Sequence, residues 1–450
     1  MKSRKTALTV ILLVVALLAV ASGGVSALAQ DAVEIDVYTV AWSAPHQEMM
    51  AQLIDMFNEE YAGQIQANYV QGDWGEGDTY IAAGVAGGGG IACLIEWWTG
   101  GAQDWFNQGF TIDMAPYMTE EDWAAIPDVF WASHMTEDGK VFISGTGGAS
   151  PVLIYFNPAL LEAAGIQPPT LEDGPWTWEQ FLDAARALTV DSNGNNLRDN
   201  PDAFDNDNVV QWGFLPRYDT EKVWEDAAAF AMIASGQPII RQLDDGSWDA
   251  VFDEVALEPM ATYLGMVREG VTPDLAVGLT GETQDEAFVQ GIAAMVPRGF
   301  FNVPVLRSVY PDFEFAVMLQ PMSPGSKLYI DNSGQGFVVP VTCEHPAEAV
   351  KFAMWMQQPG PNALDASALD LAPLNPAAMD EPVIADNPDW DPMRYYMSNW
   401  EIVTVPFNTN QAEFIEVLWV PTMLRYVQGD IDFQEAVETI QAGAKDILNQ

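Results

Sequence analysis

Hydrophobic and polar residues alternate with two different periods in the first part of the chain. At 33–37 every second residue is apolar, which is typical of a half-buried strand. The next segment changes to the period of an amphipathic helix, and Gly63 ends it. The apolar face of this helix comprises Met50, Leu53, Ile54, Phe57 and Tyr61.

The same alternation continues with a predicted strand at 65–70, a helix at 79–86 and a strand at 91–95. This βαβαβ order is typical of a parallel sheet that carries helices on both faces. The glycines at 87–90 predict a loop between the last two elements. They do not predict a phosphate-binding loop, because no Lys or Ser/Thr follows at the required spacing.

Later segments predict a second set of elements. Small residues at 145–150 join two apolar segments and suit a crossover between two lobes. Thr177 and Gln180 have the spacing of a capping box that begins a helix. The stretch 359–393 is rich in Pro, Asp and Asn and predicts an irregular surface segment. The remaining predicted elements are strands at 292–296, 313–319 and 336–341 and helices at 346–358, 411–428 and 431–448.

The N-terminus has the pattern of a secretory signal peptide at residues 1–29. Lys2, Arg4 and Lys5 precede an apolar stretch at 7–21, and Ala27-Leu28-Ala29 forms a small-x-small cleavage signal. An uncleaved anchor helix is the alternative, but the apolar core is shorter than the roughly 20 residues that span a bilayer. No cysteine follows this core, so we expect a secreted protein, periplasmic or extracellular, without a lipid anchor.

Composition and charge exclude several classes of protein. Among 450 residues, 49% are hydrophobic, which is enough for packed cores. The chain has 64 acidic and 17 basic side chains, for a net charge of −47. Such a chain repels phosphate backbones, so we expect no nucleic-acid partner.

The two cysteines, Cys93 and Cys343, are too few for a disulfide scaffold or a four-cysteine metal site. In an oxidising compartment they can pair once. Two separately buried thiols are the other explanation, and the sequence alone favours it.

Motifs of catalysis and of nucleotide binding are absent from the sequence. The three histidines, His46, His134 and His345, are scattered and have no second ligand at metal spacing. With 64 acidic residues, chance pairs of carboxylates are common, so no single pair indicates a glycosidase. We therefore expect no catalytic residues and no required cofactor.

One segment has the rhythm of a calcium-binding loop. Alternate oxygen-bearing residues of a twelve-residue loop can turn inward around a hard cation, with a backbone carbonyl at the seventh position. A solvated Asn/Asp-rich turn is the competing interpretation, because Asn196 stands where such loops have Gly. The candidate ligands of a structural calcium ion are Asp191, Asn193, Asn195, Leu197, Asp199 and Asp202.

Tryptophan is the positive chemical signal, with 16 residues in the chain. Trp42, Trp97 and Trp98 follow or end predicted strands, and ligands of open α/β sheets bind at the carboxyl ends of strands. An indole face suits the C–H side of a sugar ring, and a carboxylate such as Glu96 suits its hydroxyl groups. The alternative for each Trp is a core position.

A set of local motifs together resembles the extracellular solute-binding proteins of ABC importers, in the carbohydrate-type group that includes maltose-binding protein. The resemblance extends over essentially the whole chain after the signal peptide. Each motif is degenerate, but their order and spacing are fairly specific. The motifs lie at 138–142, 153–166, 176–181, 211–214, 293–301, 336–340 and 346–352.

The resemblance implies a fold and a set of site residues. The implied fold is α/β with two lobes joined by hinge strands, each lobe a mainly parallel sheet flanked by helices. The N-terminal lobe would comprise 30–146 and 298–358, and the C-terminal lobe 147–297 and 359–450. The implied ligand-binding residues are Trp42, Ser43, Glu96, Trp97, Trp98, Phe301, Asn332 and Ser333.

The predicted function is therefore capture of a mono- or oligosaccharide between two lobes and its delivery to the permease subunits of an ABC transporter, by a monomeric receptor. A binding protein for a polyol, osmolyte or peptide is the first alternative. A secreted glycan hydrolase is the second.

Overall fold

The computed structural model describes most of the chain after the predicted signal peptide. The predicted site residues Trp42, Asn332 and Ser333 lie outside the described residues, as does the predicted signal peptide at 1–29. The described residues are 32–40, 43–131, 133–136, 138–148, 151–216, 220–273, 281–323, 326, 328–331, 334–369, 371–403, 408 and 410–450.

The helices are numbered in chain order. They are α1 Ala44–Glu60, α2 Gly77–Gly87, α3 Thr99–Asn107, α4 Glu120–Ala124, α5 Asp128–Trp131, α6 Pro158–Ala163, α7 Trp178–Leu188, α8 Thr220–Ser235, α9 Glu254–Arg268, α10 Gly281–Val289, α11 Asn302–Val309, α12 Pro346–Trp355, α13 Pro359–Leu369, α14 Pro382–Ala385, α15 Asp391–Asn399, α16 Gln411–Glu413, α17 Val420–Gln428 and α18 Phe433–Leu448. A π-helical stretch, Phe414–Trp419, joins α16 to α17. The predicted capping box at Thr177 and Gln180 is confirmed at the start of α7.

The strands are β1 Val33–Val40, β2 Ile65–Gly72, β3 Leu94–Trp98, β4 Gly147–Gly148, β5 Val152–Phe156, β6 Val190–Asp191, β7 Val209–Gln211, β8 Ile240–Gln242, β9 Trp248–Ala250, β10 Met295–Gly299, β11 Ala316–Leu319, β12 Leu328–Asp331, β13 Gly334–Val338 and β14 Trp400–Val403. The third strand begins and ends three residues later than the prediction at 91–95, and its last two residues are Trp97 and Trp98.

The first sheet has the strand order β2-β1-β3-β13-β4. β1 is parallel to both β2 and β3, so the predicted βαβαβ unit is confirmed. Successive residues of β1 enter two different hydrophobic cores: Ile35 and Val37 pack with Phe57, whereas Tyr38 and Val40 pack on the other face. Helices therefore cover both faces of this sheet.

The second sheet has the order β10-β5-β11, and β5 is antiparallel to both neighbours. This differs from the expected mainly parallel sheet, because β5 leaves the crossover at the edge where β10 and β11 end. Residues of β5 again alternate between two cores, with Ile154 on one face and Tyr155 on the other. The two-lobe α/β fold class is confirmed.

Strand pairing divides the range 298–358, which was predicted to lie in the N-terminal lobe, between the two sheets. β11 pairs with β5 of the second sheet, and β13 pairs with β3 of the first. The predicted lobe boundaries stay a prediction.

The segment 359–393 is not irregular, and that expectation is wrong. Its prolines begin helices, since Pro is favoured in the first turn, and α13 starts at Pro359. α13 packs against α1, and it places Ala363 and Ala366 in the core of the second sheet and Leu364 against the core of the first. Helix α13 therefore links the two lobes.

Cys93 and Cys343 form a disulfide, with 4.8 Å between their Cα atoms. The sequence favoured two separate thiols, and that preference is wrong. The bond joins the segment before β3 to the segment after β13, two strands that are neighbours in the first sheet.

Within the described part of the chain, no helix combines the length and the hydropathy needed to cross a membrane.

Candidate functional site

The strand directions bring two sheet edges together at the crossover between the lobes. β1, β2 and β3 end at one edge of the first sheet, and β13 begins there, where Gln335 pairs with Trp98. The crossover leaves this edge through β4 and enters the second sheet at Val152, which pairs with Gly299 at the end of β10. Residues that follow β3 and β10 therefore lie at the two sheet edges that the crossover joins.

Aromatic side chains are exposed at both edges. Trp98, at the end of β3, is 44% exposed, and Phe301, just after β10, is 43% exposed. Trp74, which follows β2, is also 44% exposed. Trp74 is not among the residues predicted to bind ligand, although the strand-end position that indicated Trp42 applies equally to it.

Trp97 has a different role from Trp98, because its side chain is only 3% exposed. Its ring stacks between Trp74 and Trp105, at centroid distances of 4.6 Å and 4.8 Å. Trp105 is held in turn by a hydrogen bond of 2.7 Å from its indole Nε1 to Asp78 Oδ1. Trp97 thus supports the exposed ring of Trp74 from below and belongs to the core of the first lobe.

Three glycines make room for these indoles. A Cβ atom on Gly77 or Gly101 would overlap Trp97, and one on Gly100 would overlap the ring of Trp98. Gly100 and Gly101 lie in the first turn of α3, which begins at Thr99, directly after Trp98. The close approach of this helix therefore fixes the orientation of both tryptophans.

Ser43 is half-buried and caps helix α1. Its Oγ accepts a hydrogen bond of 3.2 Å from the backbone N–H of His46. This cap fixes the start of α1 beside the carboxyl end of β1 and sets the position of the His46 side chain.

His46 lies in a buried cluster with Glu96 and Asp365. All three side chains are 0–1% exposed. His46 Nε2 is 3.4 Å from Glu96 Oε1 and 3.5 Å from Asp365 Oδ1. Gln335 Nε2 donates a hydrogen bond of 3.3 Å to Glu96 Oε1. Glu96 was predicted to bind ligand, but the structure places it beneath the surface, beside α1.

Burial lowers the pKa of His46, but the neighbouring carboxylates of Glu96 and Asp365 outweigh this effect and raise it to about 10. No local pattern in the sequence predicts this cluster, because its members come from α1, β3 and α13 and share no local spacing. Only the packing of α13 on α1 brings Asp365 to the other two residues.

The predicted calcium loop is organised around Asp191. The carboxylate of Asp191 accepts hydrogen bonds of 2.8–3.0 Å from the N–H groups of Asn193, Asn195 and Asp205. Burial raises the pKa of Asp191, but these hydrogen bonds outweigh it and hold the pKa below its usual range. Asp199 forms an ion pair with Arg198, with 3.0 Å between Asp199 Oδ1 and Arg198 Nε.

Among the described residues, His46, Glu96 and Asp365 are the one group of three His, Cys, Asp or Glu side chains whose ligand atoms converge within 4.8 Å. Asp191, Asp199 and Asp202 do not form such a group. Calcium binding by this loop stays a prediction.

Comparison with protein families matches residues 43–363 to the bacterial extracellular solute-binding protein family. A comparison with curated protein sequences finds no significant match.

Solved structures with the same fold include three sugar-binding proteins. A cyclic alpha-maltosyl-1,6-maltose binding protein from Arthrobacter globiformis has a TM-score of 0.71 at 13% identity, covering 93% of this chain and 99% of that one. An ABC substrate-binding protein from Listeria monocytogenes in complex with cycloalternan has a TM-score of 0.66 at 17% identity, covering 92% and 98%. The maltose/maltodextrin-binding domain MalE from Bdellovibrio bacteriovorus, bound to maltotriose, has a TM-score of 0.65 at 17% identity, covering 92% of this chain and 99% of that one.

Proposed function

The chain belongs to the bacterial extracellular solute-binding protein family, and we propose that it is the substrate-binding component of an ABC importer that captures a mono- or oligosaccharide between its two lobes. Several structures with the same fold are sugar-binding proteins, which supports a carbohydrate as the ligand class. The permease subunits of the transporter would be its protein partners. The receptor acts outside the cytoplasmic membrane, as a monomer without catalytic activity.

The observation that carries this proposal is the pair of exposed aromatic side chains at the two sheet edges that the crossover joins. Trp98 belongs to the first lobe, and Phe301 follows a strand of the second sheet. Large exposed apolar side chains on both lobes indicate an interaction surface. A sugar ring offers an apolar C–H face to an aromatic ring, while its edge offers hydroxyl groups.

Ligand capture would work through a shift between open and closed lobes. A sugar that touches Trp98 and Phe301 together gains both contacts only in the closed form. The sugar can shift the equilibrium between open and closed lobes only by the difference between its affinities for the two forms. The contacts of α1 with α11 and α13 join the lobes and are the contacts that opening would change. The permease would recognise the closed form.

A panel of solutes tests the ligand class. Thermal unfolding is followed with mono-, di- and oligosaccharides, with polyols and peptides as the non-sugar set. A sugar at 100 times its Kd stabilises the folded state by about 2.7 kcal/mol, so the correct sugar class raises the Tm. Stabilisation by the non-sugar set alone contradicts a carbohydrate ligand. Release of product from a glycan indicates a hydrolase instead.

Calcium binding at 191–202 remains a separate proposal. Its support is the spacing of Asp191, Asn193 and Asn195 along the loop. Calorimetric titration of Ca²⁺ into chelator-treated protein tests it. The absence of both heat and a rise in Tm would leave the loop as a turn organised by the Asp191 carboxylate.

A further inference from the structure

The buried cluster of His46, Glu96 and Asp365 is not explained by the proposed sugar site. Its polar atoms are enclosed where a free sugar cannot reach them, since all three side chains are 0–1% exposed. Buried polar groups of folded proteins are normally hydrogen-bonded, so groups without partners require an explanation.

Two members of the cluster lack hydrogen-bond partners among the described residues. Neither ring nitrogen of His46 and neither carboxylate oxygen of Asp365 makes a hydrogen bond. His46 Nε2 faces the two carboxylates at ion-pair distance, but buried polar atoms that make no hydrogen bond are costly. A positive charge that binds all three groups would remove this cost.

We propose that His46, Glu96 and Asp365 bind a divalent transition-metal cation.

The spacing of the ligand atoms fits this proposal. The distances of 3.4 Å and 3.5 Å from His46 Nε2 to the two carboxylates are longer than the roughly 2.7–3.2 Å of an N–H···O hydrogen bond. In a tetrahedral site with ligand bonds near 2.1 Å, two ligand atoms lie about 3.4 Å apart. The two separations from His46 Nε2 are therefore those of neighbouring ligands around one metal ion, and all three ligand atoms lie within 4.8 Å of one another.

The charges lead to the same conclusion. An imidazolium leaves the cluster with one negative charge in excess, because it compensates only one of the two carboxylates. A divalent cation with a neutral imidazole and two carboxylates makes the cluster neutral, and buried charges are tolerated when they are fully paired.

The donor set selects the class of metal. One imidazole nitrogen and two carboxylate oxygens, without thiolate, are ligands that suit Zn²⁺, Mn²⁺ or Fe²⁺. Ca²⁺ and Mg²⁺ fit this set less well, because they prefer oxygen ligands only. The hydrogen bond from Gln335 Nε2 to Glu96 Oε1 orients one ligand, as outer-shell partners of metal sites do. Three protein ligands leave a further position for water.

The location gives the site a structural consequence. His46 and Glu96 come from α1 and β3 of the first lobe, whereas Asp365 comes from α13, which also packs in the core of the second sheet. A bound metal would tie α13 to the first lobe and so stabilise one arrangement of the two lobes.

The test uses the mature chain without a histidine tag, so that its three histidines are the only ones present. The protein is treated with a chelator and titrated with Zn²⁺ by calorimetry and with Co²⁺ by visible absorption. One equivalent of metal should bind, and Co²⁺ should develop ligand-field bands. His46→Gln and Asp365→Asn should each weaken binding by at least the about tenfold seen when an outer-shell partner is lost.

His345→Gln is the matched control, because His345 is half-buried at the start of α12 and lies outside the cluster. It should retain full affinity. Stoichiometric metal that fails to bind, or that binds both cluster variants as tightly as the unaltered chain, overturns the proposal.

A second measurement needs no substitution and decides the question if a cluster variant does not fold. In a chain labelled with ¹⁵N-histidine, Zn²⁺ should shift the ring nitrogens of His46 and displace one of the two N–H protons of the imidazolium, so that the metal-bound ring keeps a single N–H. An imidazolium signal that one equivalent of Zn²⁺ leaves unchanged overturns the site. Neither measurement depends on sugar binding, so the site can fail while the proposed function stands.

Discussion

Replacing Trp98 by Ala is expected to weaken sugar binding while leaving the fold intact. The indole of Trp98 is 44% exposed at the end of β3, so its loss opens no cavity in the core. Aromatic stacking contributes about 0.5–1.5 kcal/mol, which corresponds to a Kd that is roughly 2- to 13-fold higher. The Tm without ligand should change little, because substitutions at exposed positions usually have small effects on stability.

Trp97→Ala is expected to have the opposite profile, although the two residues are neighbours in the sequence. Trp97 is buried between the rings of Trp74 and Trp105. Truncation of a buried Trp costs about 3–5 kcal/mol of unfolding free energy. The sugar affinity of the protein that still folds should fall only to the extent that the Trp74 ring moves when Trp97 no longer packs against it.

Calorimetry with the sugar identified by the solute panel measures Kd, and urea unfolding measures stability. Tyr117→Ala is the matched control, since Tyr117 is 42% exposed but lies beside α12 on the first lobe, away from the strand ends. It should leave both quantities unchanged. Full affinity in a folded Trp98→Ala protein would refute the reasoning that the exposed indole at the end of β3 is a ligand surface.

Three further outcomes follow from the packing. Gly100→Ala should weaken sugar binding, because the added Cβ displaces the Trp98 ring. Gly87→Ala is the control and should leave binding unchanged, because a Cβ there meets open space. Calorimetry compares the sugar affinities of the two variants. Replacing Cys93 and Cys343 together by Ser should lower the unfolding free energy by about 2–5 kcal/mol, because the disulfide closes a loop between residues 250 apart. Urea unfolding measures this loss, and an unchanged urea midpoint would contradict the disulfide. His134 is fully buried, and burial lowers its pKa from 6.5 to about 4 despite a backbone hydrogen bond with Phe130. The unfolded chain therefore binds the extra proton first, and stability should fall as the pH drops from 6.5 to 4, by up to about 1.4 kcal/mol per unit. Urea midpoints of His134→Gln should lack this component, and parallel pH profiles of the two proteins would contradict the assignment.

The periodicity of the sequence predicts the first sheet well because local rules decide it. Helix α1 and the strands around it follow from the spacing of hydrophobic residues. Helix α7 begins directly after Thr177, which forms the predicted capping box with Gln180. Composition misleads at 359–393. Proline there marks the first turns of helices, and the burial of α13 depends on contacts with α1 that no local pattern contains.

The direction of each side chain along β3 explains what the sequence could and could not predict about the site. Side chains alternate across a strand, so Trp97 and Trp98 cannot both face the ligand. Trp97 shares a face with Ile95 in one core, whereas Glu96 and Trp98 share the face of Leu94, which α1 covers. The Ser43 cap fixes where α1 begins. On that common face Glu96 lies beside His46 and is buried, and two residues further on Trp98 is exposed. The sequence predicts the alternation, but only the packing of the helix decides which residue contacts solvent.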